Sequence, residues 1–228
     1  YWYNEFDSYY YINGEKYTVT DHSLYVNNPS FAVRVGIIKN IELTVKAVFV
    51  QEMRFLKHEE NIPVLFSREY YNAYAPAPLE TGIKIKFINE GKFLPSAAFN
   101  LNLYIPLGNY HFNMDYVSPY FRLALQKKLS KKIHIGGNAA YGTNSYENFR
   151  EEYGNYSLMI GGTISKRIEL FAETFGYFQP KHTPDHRAAI GLSYIFARNV
   201  LAVVSGGFGF SVRAPDSFAS VGIGFMFP

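Results

Sequence analysis

The residues of this chain that could perform nucleophilic or acid–base chemistry centre on one histidine within an apolar stretch. His134 and Asn138 are four residues apart, so in a β-strand both side chains point to the same face. A serine from a neighbouring strand, such as Ser165, would complete the nucleophile, base and orienting group of a lipase. A histidine in an internal hydrogen-bond network is the simpler interpretation, and we favour it. The sequence therefore predicts no enzyme and no catalytic residues.

A metal centre and a pair of catalytic carboxylates are the other chemistry that the residue types allow. His182 and His186 have the spacing of a metal-binding pair, but Pro184 disrupts the helix that would align them. Glu169 and Glu173 would share a strand face about 13 Å apart by strand rise, too far for a joint acid–base site. We predict no metal ion and no cofactor.

The composition narrows the class of protein. With 228 residues the chain is predicted to form one domain, 1–228. It has no cysteine, which removes disulfides and thiolate metal sites, and its net charge of +3 is too small to predict a nucleic-acid partner. No run of about eighteen apolar residues exists, as a membrane helix would need. Aromatic residues nevertheless make up 18%, with 20 Tyr and 20 Phe, which is typical of the aromatic girdles of a membrane β-barrel.

The elements that would position these side chains are clearest in the C-terminal stretch 186–228. Apolar residues alternate with small or polar ones from 188 to 196, and a similar period-two pattern recurs from 219 to 227. Strands of about ten residues with one apolar face, ending on a C-terminal aromatic residue, are typical of outer-membrane barrels. We predict an all-β fold, a transmembrane antiparallel up-and-down β-barrel, with this stretch as its closing seam.

Short and long connections alternate between the apolar runs of the rest of the chain. The short ones carry Lys, Arg, Asn or Gly, as at 130–132 and 165–167, and the long ones include 55–78 and 143–155. Bacterial barrels have short turns in the periplasm and long loops outside. The runs predict about twelve strands, at 2–12, 30–38, 41–54, 79–89, 93–106, 116–129, 132–142, 156–165, 167–178, 186–197, 200–211 and 218–227. In the first hairpin, strand one is expected to begin upstream of Tyr1, or a bend at 27–29 breaks the second strand.

The alternation also assigns each strand residue to a face. One face is predicted to contact lipid: Val33, Val35, Ile37, Leu43, Val45, Phe49, Ile83, Ile85, Phe87, Phe99, Leu101, Leu103, Phe121, Leu123, Leu125, Ile133, Ile135, Leu158, Ile160 and Leu170. The other is predicted to line the lumen: Arg34, Glu42, Lys46, Lys84, Lys86, Asn100, Asn102, Arg122, Gln126, His134, Asn138, Glu169, Glu173 and Arg187. A charge facing lipid near the midplane would cost about 2–4 kcal/mol, so this segregation supports the fold and the register.

The lumen charges carry two further expectations. Glu169 and Glu173 should pair with lumen cations, among which Arg34, Arg122 and Arg187 are candidates. Because basic lumen residues modestly outnumber acidic ones, any conductance should favour anions.

The long connection 55–78 contains an aromatic cluster before a proline-rich stretch: Phe66, Tyr70, Tyr71 and Tyr74. Such a cluster could constrict the pore, dock a partner or form the entrance for an apolar substrate. The sequence leaves these three interpretations open.

Two segments resemble the outer-membrane β-barrel family associated with the meta-pathway of phenol degradation. Segment 31–43, Phe-Ala-Val-Arg-Val-Gly-Ile-Ile-Lys-Asn-Ile-Glu-Leu, is similar to that family's Arg-x-Gly followed by Asn-x-Glu-Leu. Segment 168–176, Ile-Glu-Leu-Phe-Ala-Glu-Thr-Phe-Gly, with the seam after it, is similar to the family's closing strands. The resemblance covers most of the chain and implies transport of aromatic substrates. Members often have an acidic residue in the penultimate strand, where this chain has Leu-Ala-Val-Val-Ser at 201–205.

The expected function is that of a porin-like transporter in the outer membrane of a Gram-negative bacterium, passing small hydrophobic or aromatic solutes through or along the barrel. Its expected partners are outer-membrane lipid, small apolar solutes and other outer-membrane proteins. One alternative is an accessory barrel subunit of a larger outer-membrane assembly. A less favoured alternative is a lipid-modifying enzyme built on His134.

Overall fold

The computed structural model describes residues 2–12, 15–58, 70–107, 114–146, 149–180 and 182–227. No helix in these ranges is long and apolar enough to cross a membrane. The strands in these ranges are β1 (Trp2–Ile12), β2 (Glu15–Ile38), β3 (Ile41–His58), β4 (Tyr70–Pro76), β5 (Leu79–Ile88), β6 (Ser96–Ile105), β7 (Ser118–Lys128), β8 (Ile133–Tyr146), β9 (Phe149–Thr163), β10 (Ile168–Phe178), β11 (Asp185–Ala197), β12 (Val200–Gly209) and β13 (Ser217–Phe225).

β1 joins the two ends of the sheet into a ring at one level, through its first two residues. It pairs with β2 along its length and with β13 through Trp2↔Phe218 and Tyr3↔Ser217. The pairings are antiparallel, and the sheet order follows the chain around the ring. β4 and β5 both pair with the edge of β3 that faces away from β2, so together they form one wall strand. This confirms the predicted up-and-down transmembrane barrel of about twelve strands.

The prediction that 55–78 is a loop was wrong in part. β3 continues to His58, and Tyr70–Pro76 pairs with 49–55 of β3. The break between β4 and β5 is short because Ala77 still donates its N–H to the Val48 carbonyl at 2.8 Å, while the prolines on either side have no N–H to donate. Residues 59–69 of the predicted loop lie outside the described ranges.

The second strand is also longer than predicted. β2 has 24 residues, whereas the predicted strand covered 30–38. A register shift against β3 lies between Asn27 and Ser30, where the sequence allowed a bend. A membrane crossing needs about 9–11 residues, so β1, β2, β3 and β4 extend as a four-stranded sheet beyond the barrel at the end that carries the long connections. We call this the loop end, and the opposite end the turn end.

The connection predicted as a loop at 143–155 is largely strand, which was a further error. β8 and β9 pair from Thr143↔Glu152 to Tyr146↔Phe149, so the hairpin continues past the membrane. Outside the membrane the apolar–polar alternation is lost, and the sequence pattern no longer reveals the strand.

Side chains and backbone conformation build the tight connections at the turn end. Asn40 adopts a φ of 73°, the left-handed conformation that asparagine tolerates, between β2 and β3. Ser130 Oγ accepts hydrogen bonds from the N–H groups of Lys132 and Ile133 at 3.1 and 3.0 Å, and Ser165 Oγ does the same in the next such turn. Between β5 and β6 the turn is wider than predicted, so the strand expected at 93–106 begins at Ser96.

The apolar surface of the barrel lies on the outside. Leu158 is 60% exposed and Ile190 is 73% exposed. Most residues predicted to face lipid are exposed in the same way: Val33, Val35, Ile37, Leu43, Val45, Ile85, Phe87, Phe99, Leu103, Phe121, Leu123, Leu125, Ile133, Ile135, Leu158, Ile160 and Leu170. The outer face is therefore apolar, and the polar side chains of the same strands lie on the inner face.

Candidate functional site

The inner face carries a row of polar residues that lie directly opposite one another on adjacent strands. Glu42 on β3 lies opposite Lys84 on β5, and Lys84 lies opposite Asn100 on β6. Asn100 in turn lies opposite Arg122 on β7. Lys84 Nζ forms an ion pair with Glu42, at 3.1 Å from Oε2. The register thus brings four predicted lumen residues into one cross-strand row.

A second row on the same strands lies nearer the loop end and centres on Glu80. Its Oε1 accepts a hydrogen bond from Asn102 Nδ2 at 2.6 Å, and its Oε2 lies 3.7 Å from Lys46 Nζ. Tyr104 lies opposite Glu80 in the register. Glu80 is therefore already bound by a cation and an amide.

Arg122 lies beside a group of tyrosines that the sequence did not predict. Its Nη2 and Nε lie 2.9 and 3.3 Å from Tyr120 Oη, and its guanidinium carbon is 5.1 Å from the centre of the Tyr120 ring. Tyr120 is only 2% exposed, and its hydroxyl also bonds to the Asn155 amide. Tyr104 meets the Tyr120 ring edge-on at 5.8 Å, and Tyr153 stacks on it at 5.9 Å. We call these five residues the Arg122 cluster.

Arg187, on β11, has a different environment. Its Nε and Nη2 bond to the two carboxylate oxygens of Asp185 at 2.8 and 2.5 Å. The guanidinium carbon is 5.4 Å from the centre of the Tyr177 ring and 5.9 Å from that of Phe175. Phe175 meets Phe218 edge-on at 5.6 Å. Arg187 is thus neutralised by its own strand and packed between aromatic rings.

The loop half of the lumen has a positive balance of charge. Its side chains include three cations, Lys46, Arg122 and Arg187, and two carboxylates, Glu80 and Asp185. Among these five described side chains, the cations outnumber the carboxylates by one.

The turn half of the lumen holds the histidine that the sequence singled out. His134 Nε2 lies 3.6 Å from Glu169 Oε1, and its ring crosses Gly161, where a Cβ would meet the imidazole at 2.3 Å. Glu169, which the sequence predicted to pair with a lumen Arg or Lys, thus has a histidine as a neighbour. Asn138 donates to Ser157 Oγ at 2.6 Å, while Ser165 holds a turn. The structure assembles a polar network here rather than a lipase set.

Three further residues predicted to line the lumen, Arg34, Lys86 and Glu173, lie outside the two groups of contacts described above. Arg34 lies opposite Thr44, and Lys86 lies opposite Ala98. Glu173 lies between Met159 and Ala189 of the adjacent strands.

The two histidines of the hypothetical metal pair do not converge. His182 Nε2 is 3.9 Å from Glu151 Oε1, while His186 Nδ1 is 3.1 Å from Tyr156 Oη on the outer face. In the described ranges, no group of three or more His, Asp or Glu side chains is arranged to hold a metal ion.

The predicted aromatic cluster is not confined to a loop. Tyr74 lies on the outer face of β4, 56% exposed, and stacks on Phe49 with 5.9 Å between ring centres. Tyr70 and Tyr71 belong to the same strand, opposite Phe55 and Arg54. Phe66 lies outside the described residues.

Sequence reasoning missed the residues that fill the loop half of the lumen: Tyr104, Tyr120, Tyr153, Tyr177, Glu80 and Asp185. A signal existed for four of them, since Glu80 shares its parity with Lys84 on β5 and Tyr177 shares its parity with Glu173 on β10. Tyr104 shares its parity with Asn100 on β6, and Tyr120 shares its parity with Arg122 on β7. Tyrosine occurs on both faces of a membrane barrel, so residue type alone did not assign these rings to the lumen.

Comparison with known proteins agrees with this architecture. Residues 77–227 match the model of the family described as "Putative MetA-pathway of phenol degradation". The fold is similar to the crystal structure of the COG4313 outer membrane channel from Pseudomonas putida F1, with 12% identity, 97% of this chain and 91% of that chain covered, and a TM-score of 0.58. It is also similar to the NanC porin, with 9% identity, 87% and 98% covered, and a TM-score of 0.52. No curated protein sequence matches the chain.

Proposed function

This chain belongs to the family described as "Putative MetA-pathway of phenol degradation", and from that premise we propose that it is a channel that passes small solutes across the outer membrane. The observation that carries the proposal is the segregation of charge. Ion pairs and amides occupy the inner face, while the outer face is aliphatic. A barrel with a polar inner face can hold water in its lumen, and small solutes can move through a hydrated lumen.

Two features of the family and of the fold support this proposal. The solved structures with a similar fold are described as a channel and as a porin. The aromatic rings of Tyr104, Tyr120 and Tyr153 offer apolar contact surface in the lumen. A path with polar and aromatic walls would suit small solutes that carry an apolar or aromatic body. We also propose that the loop end faces the outside of the cell and the turn end the periplasm, as in bacterial barrels generally.

Single-channel recording in a planar lipid bilayer tests the channel and its charge preference. We expect a steady conductance and a reversal potential, in a salt gradient, that favours anions modestly, because the described cations of the loop half, Lys46, Arg122 and Arg187, outnumber the carboxylates Glu80 and Asp185. Strong cation preference would contradict the charge argument. Absence of conductance from folded, heat-modifiable protein would contradict the channel.

Lys46 and Glu80 form a matched pair for the same measurement, because they are partners 3.7 Å apart at one level of the lumen. Lys46→Gln should shift the reversal potential towards cations, and Glu80→Gln should shift it towards anions by a similar amount. Shifts in the same direction would mean that these side chains do not face the path of the ions.

One observation favours a second function. The four-stranded extension of β1, β2, β3 and β4 stands beyond the barrel at the loop end, where it could dock another outer-membrane protein. An accessory subunit would show no conductance and would purify in constant ratio with one partner. The lipid-modifying enzyme has no such support, since His134 lies against Glu169 and Ser165 holds a turn.

A further inference from the structure

The arginine of the Arg122 cluster differs from Arg187 in what it binds. Both guanidinium groups lie over aromatic rings, and both use Nε and Nη2 for hydrogen bonds, but those of Arg187 run to the negatively charged Asp185 carboxylate. Within the described part of the chain, the hydrogen bonds of Arg122 run to Tyr120 Oη, a neutral acceptor. A guanidinium has five N–H donors in a planar fork, so Arg122 retains donors at Nη1.

The carboxylate whose charge acts on Arg122, that of Glu80, is bound to other side chains. Glu80 acts on Arg122 through space, yet its oxygens lie on Asn102 at 2.6 Å and on Lys46 at 3.7 Å. The positive charge of Arg122 is therefore attenuated, and among the described residues its hydrogen bonds run to a neutral hydroxyl and not to a carboxylate. A half-buried cation of this kind favours an anion, because lower local solvation strengthens a charge-assisted hydrogen bond.

The neighbours of Arg122 fix its position. Tyr120 is buried, its hydroxyl is held by Asn155, and its ring lies beneath the guanidinium. Tyr104 and Tyr153 pack against that ring from two directions. A cation held by neutral partners loses little freedom when a ligand binds, which is the advantage of a preorganised site.

From this geometry we propose that the Arg122 cluster is a binding site for the carboxylate of a small monocarboxylic acid with an apolar body. The end of the Arg122 guanidinium, with Nη1 and the second N–H of Nη2, would hold the two carboxylate oxygens, and the rings of Tyr104 and Tyr153 would contact the body of the acid. This inference rests on the proposed solute path, because the acid must reach the lumen. It deepens that proposal by naming the charged group that the path recognises.

Block of the channel by benzoate tests the site. Benzoate added to the bilayer recording should reduce the wild-type current in a saturable way, and neutral benzyl alcohol at the same concentration should not. Arg122→Gln should raise the half-blocking concentration at least tenfold. Arg34→Gln, which removes a lumen arginine outside the cluster, should leave it within twofold.

The variant Arg122→Lys distinguishes specific binding by the guanidinium from a general effect of positive charge. Lysine keeps the positive charge but lacks the planar fork and its stacking on Tyr120. We expect this variant to keep the anion preference of the wild type and to lose block by benzoate as Arg122→Gln does. Block that persists in Arg122→Lys would overturn the proposed site and leave only a general electrostatic effect.

Calorimetric titration of benzoate into the folded protein in detergent makes the test independent of conductance. Heat-modifiable migration on electrophoresis establishes that each variant is folded. Saturable binding to the wild type, lost in Arg122→Gln, would uphold the site even if the bilayer showed no current and the channel proposal failed. Steady conductance with neither block nor binding would overturn the site while the channel proposal stood.

Discussion

A glycine makes the stack of tyrosines in the Arg122 cluster sterically possible. Gly142 on β8 lies opposite both Tyr120 and Tyr153, and a Cβ there would come within 2.9 Å of the first ring and 3.1 Å of the second. Tyr120 is buried and held by Asn155, so the ring has little room to give way. The two rings can stack because the residue between them on β8 is a glycine, which has no side chain.

Gly142→Ala should therefore destabilise the barrel. We expect it to lower the free energy of unfolding by about 1–3 kcal/mol, the usual cost of overpacking. Gly136→Ala is the matched control on the same strand and face, because its Cβ would lie 3.5 Å from the Leu125 carbonyl, an ordinary contact. Denaturant unfolding followed by heat-modifiable migration measures both. Equal stability of the two variants would show that the tyrosine stack is not tight.

The polar residues of the lumen were more predictable than the aromatic ones. A charged residue such as Arg122 or Lys84 has one tolerable face in a membrane barrel, so its parity assigned it to the lumen. Tyr120 is held by the Asn155 amide and has room beside Gly142, while Tyr104 packs edge-on against it, and these contacts join distant parts of the sequence. Period-two alternation carries no information about such partners.

At the scale of the strands, the opposite character of the two faces can be tested with adjacent residues. Ile160 on β9 is 52% exposed on the outer face, and Met159 projects to the inner face opposite Gly136. Ile160→Arg should lower the free energy of unfolding in lipid by about 2–4 kcal/mol, because the charge would face hydrocarbon. Met159→Arg should cost less than half as much, since its charge can be hydrated. Equal costs would mean that the faces are wrongly assigned.

Strand boundaries were predicted more accurately within the membrane than outside it. β10 and β11 lie within one or two residues of the predicted strands 167–178 and 186–197, because lipid on one side and polar side chains on the other impose a strict alternation. Residues 15–29 of β2 and the loop ends of β8 and β9 were not predicted as strand, because water surrounds both faces there. Hydrogen-bond pairing with a neighbouring strand, rather than burial, sustains those segments.

At the scale of the whole molecule, positive charge is concentrated in the turns at the turn end of the barrel. The turns there contain one acidic residue, Glu90, and seven exposed cations: Lys39, Lys92, Lys131, Lys132, Lys166, Arg167 and Arg198. Apolar side chains of the outer face adjoin them, among them Phe93, whose ring lies 5.4 Å from Lys92 Nζ. Aromatic rings beside lysines at one level are typical of the interface between hydrocarbon and lipid headgroups.

This ring of cations should bind anionic lipid phosphates. Each lysine or arginine near an anionic membrane surface contributes about 1 kcal/mol, so the barrel should resist denaturant better in vesicles that contain phosphatidylglycerol than in pure phosphatidylcholine. Molar salt should abolish the difference, because it screens exposed charges. A variant with Lys131, Lys132, Lys166 and Arg167 replaced by glutamine should lose most of the gain. If the variant keeps it, anionic lipid acts elsewhere on the barrel, and the cations serve only the geometry and solubility of the turns.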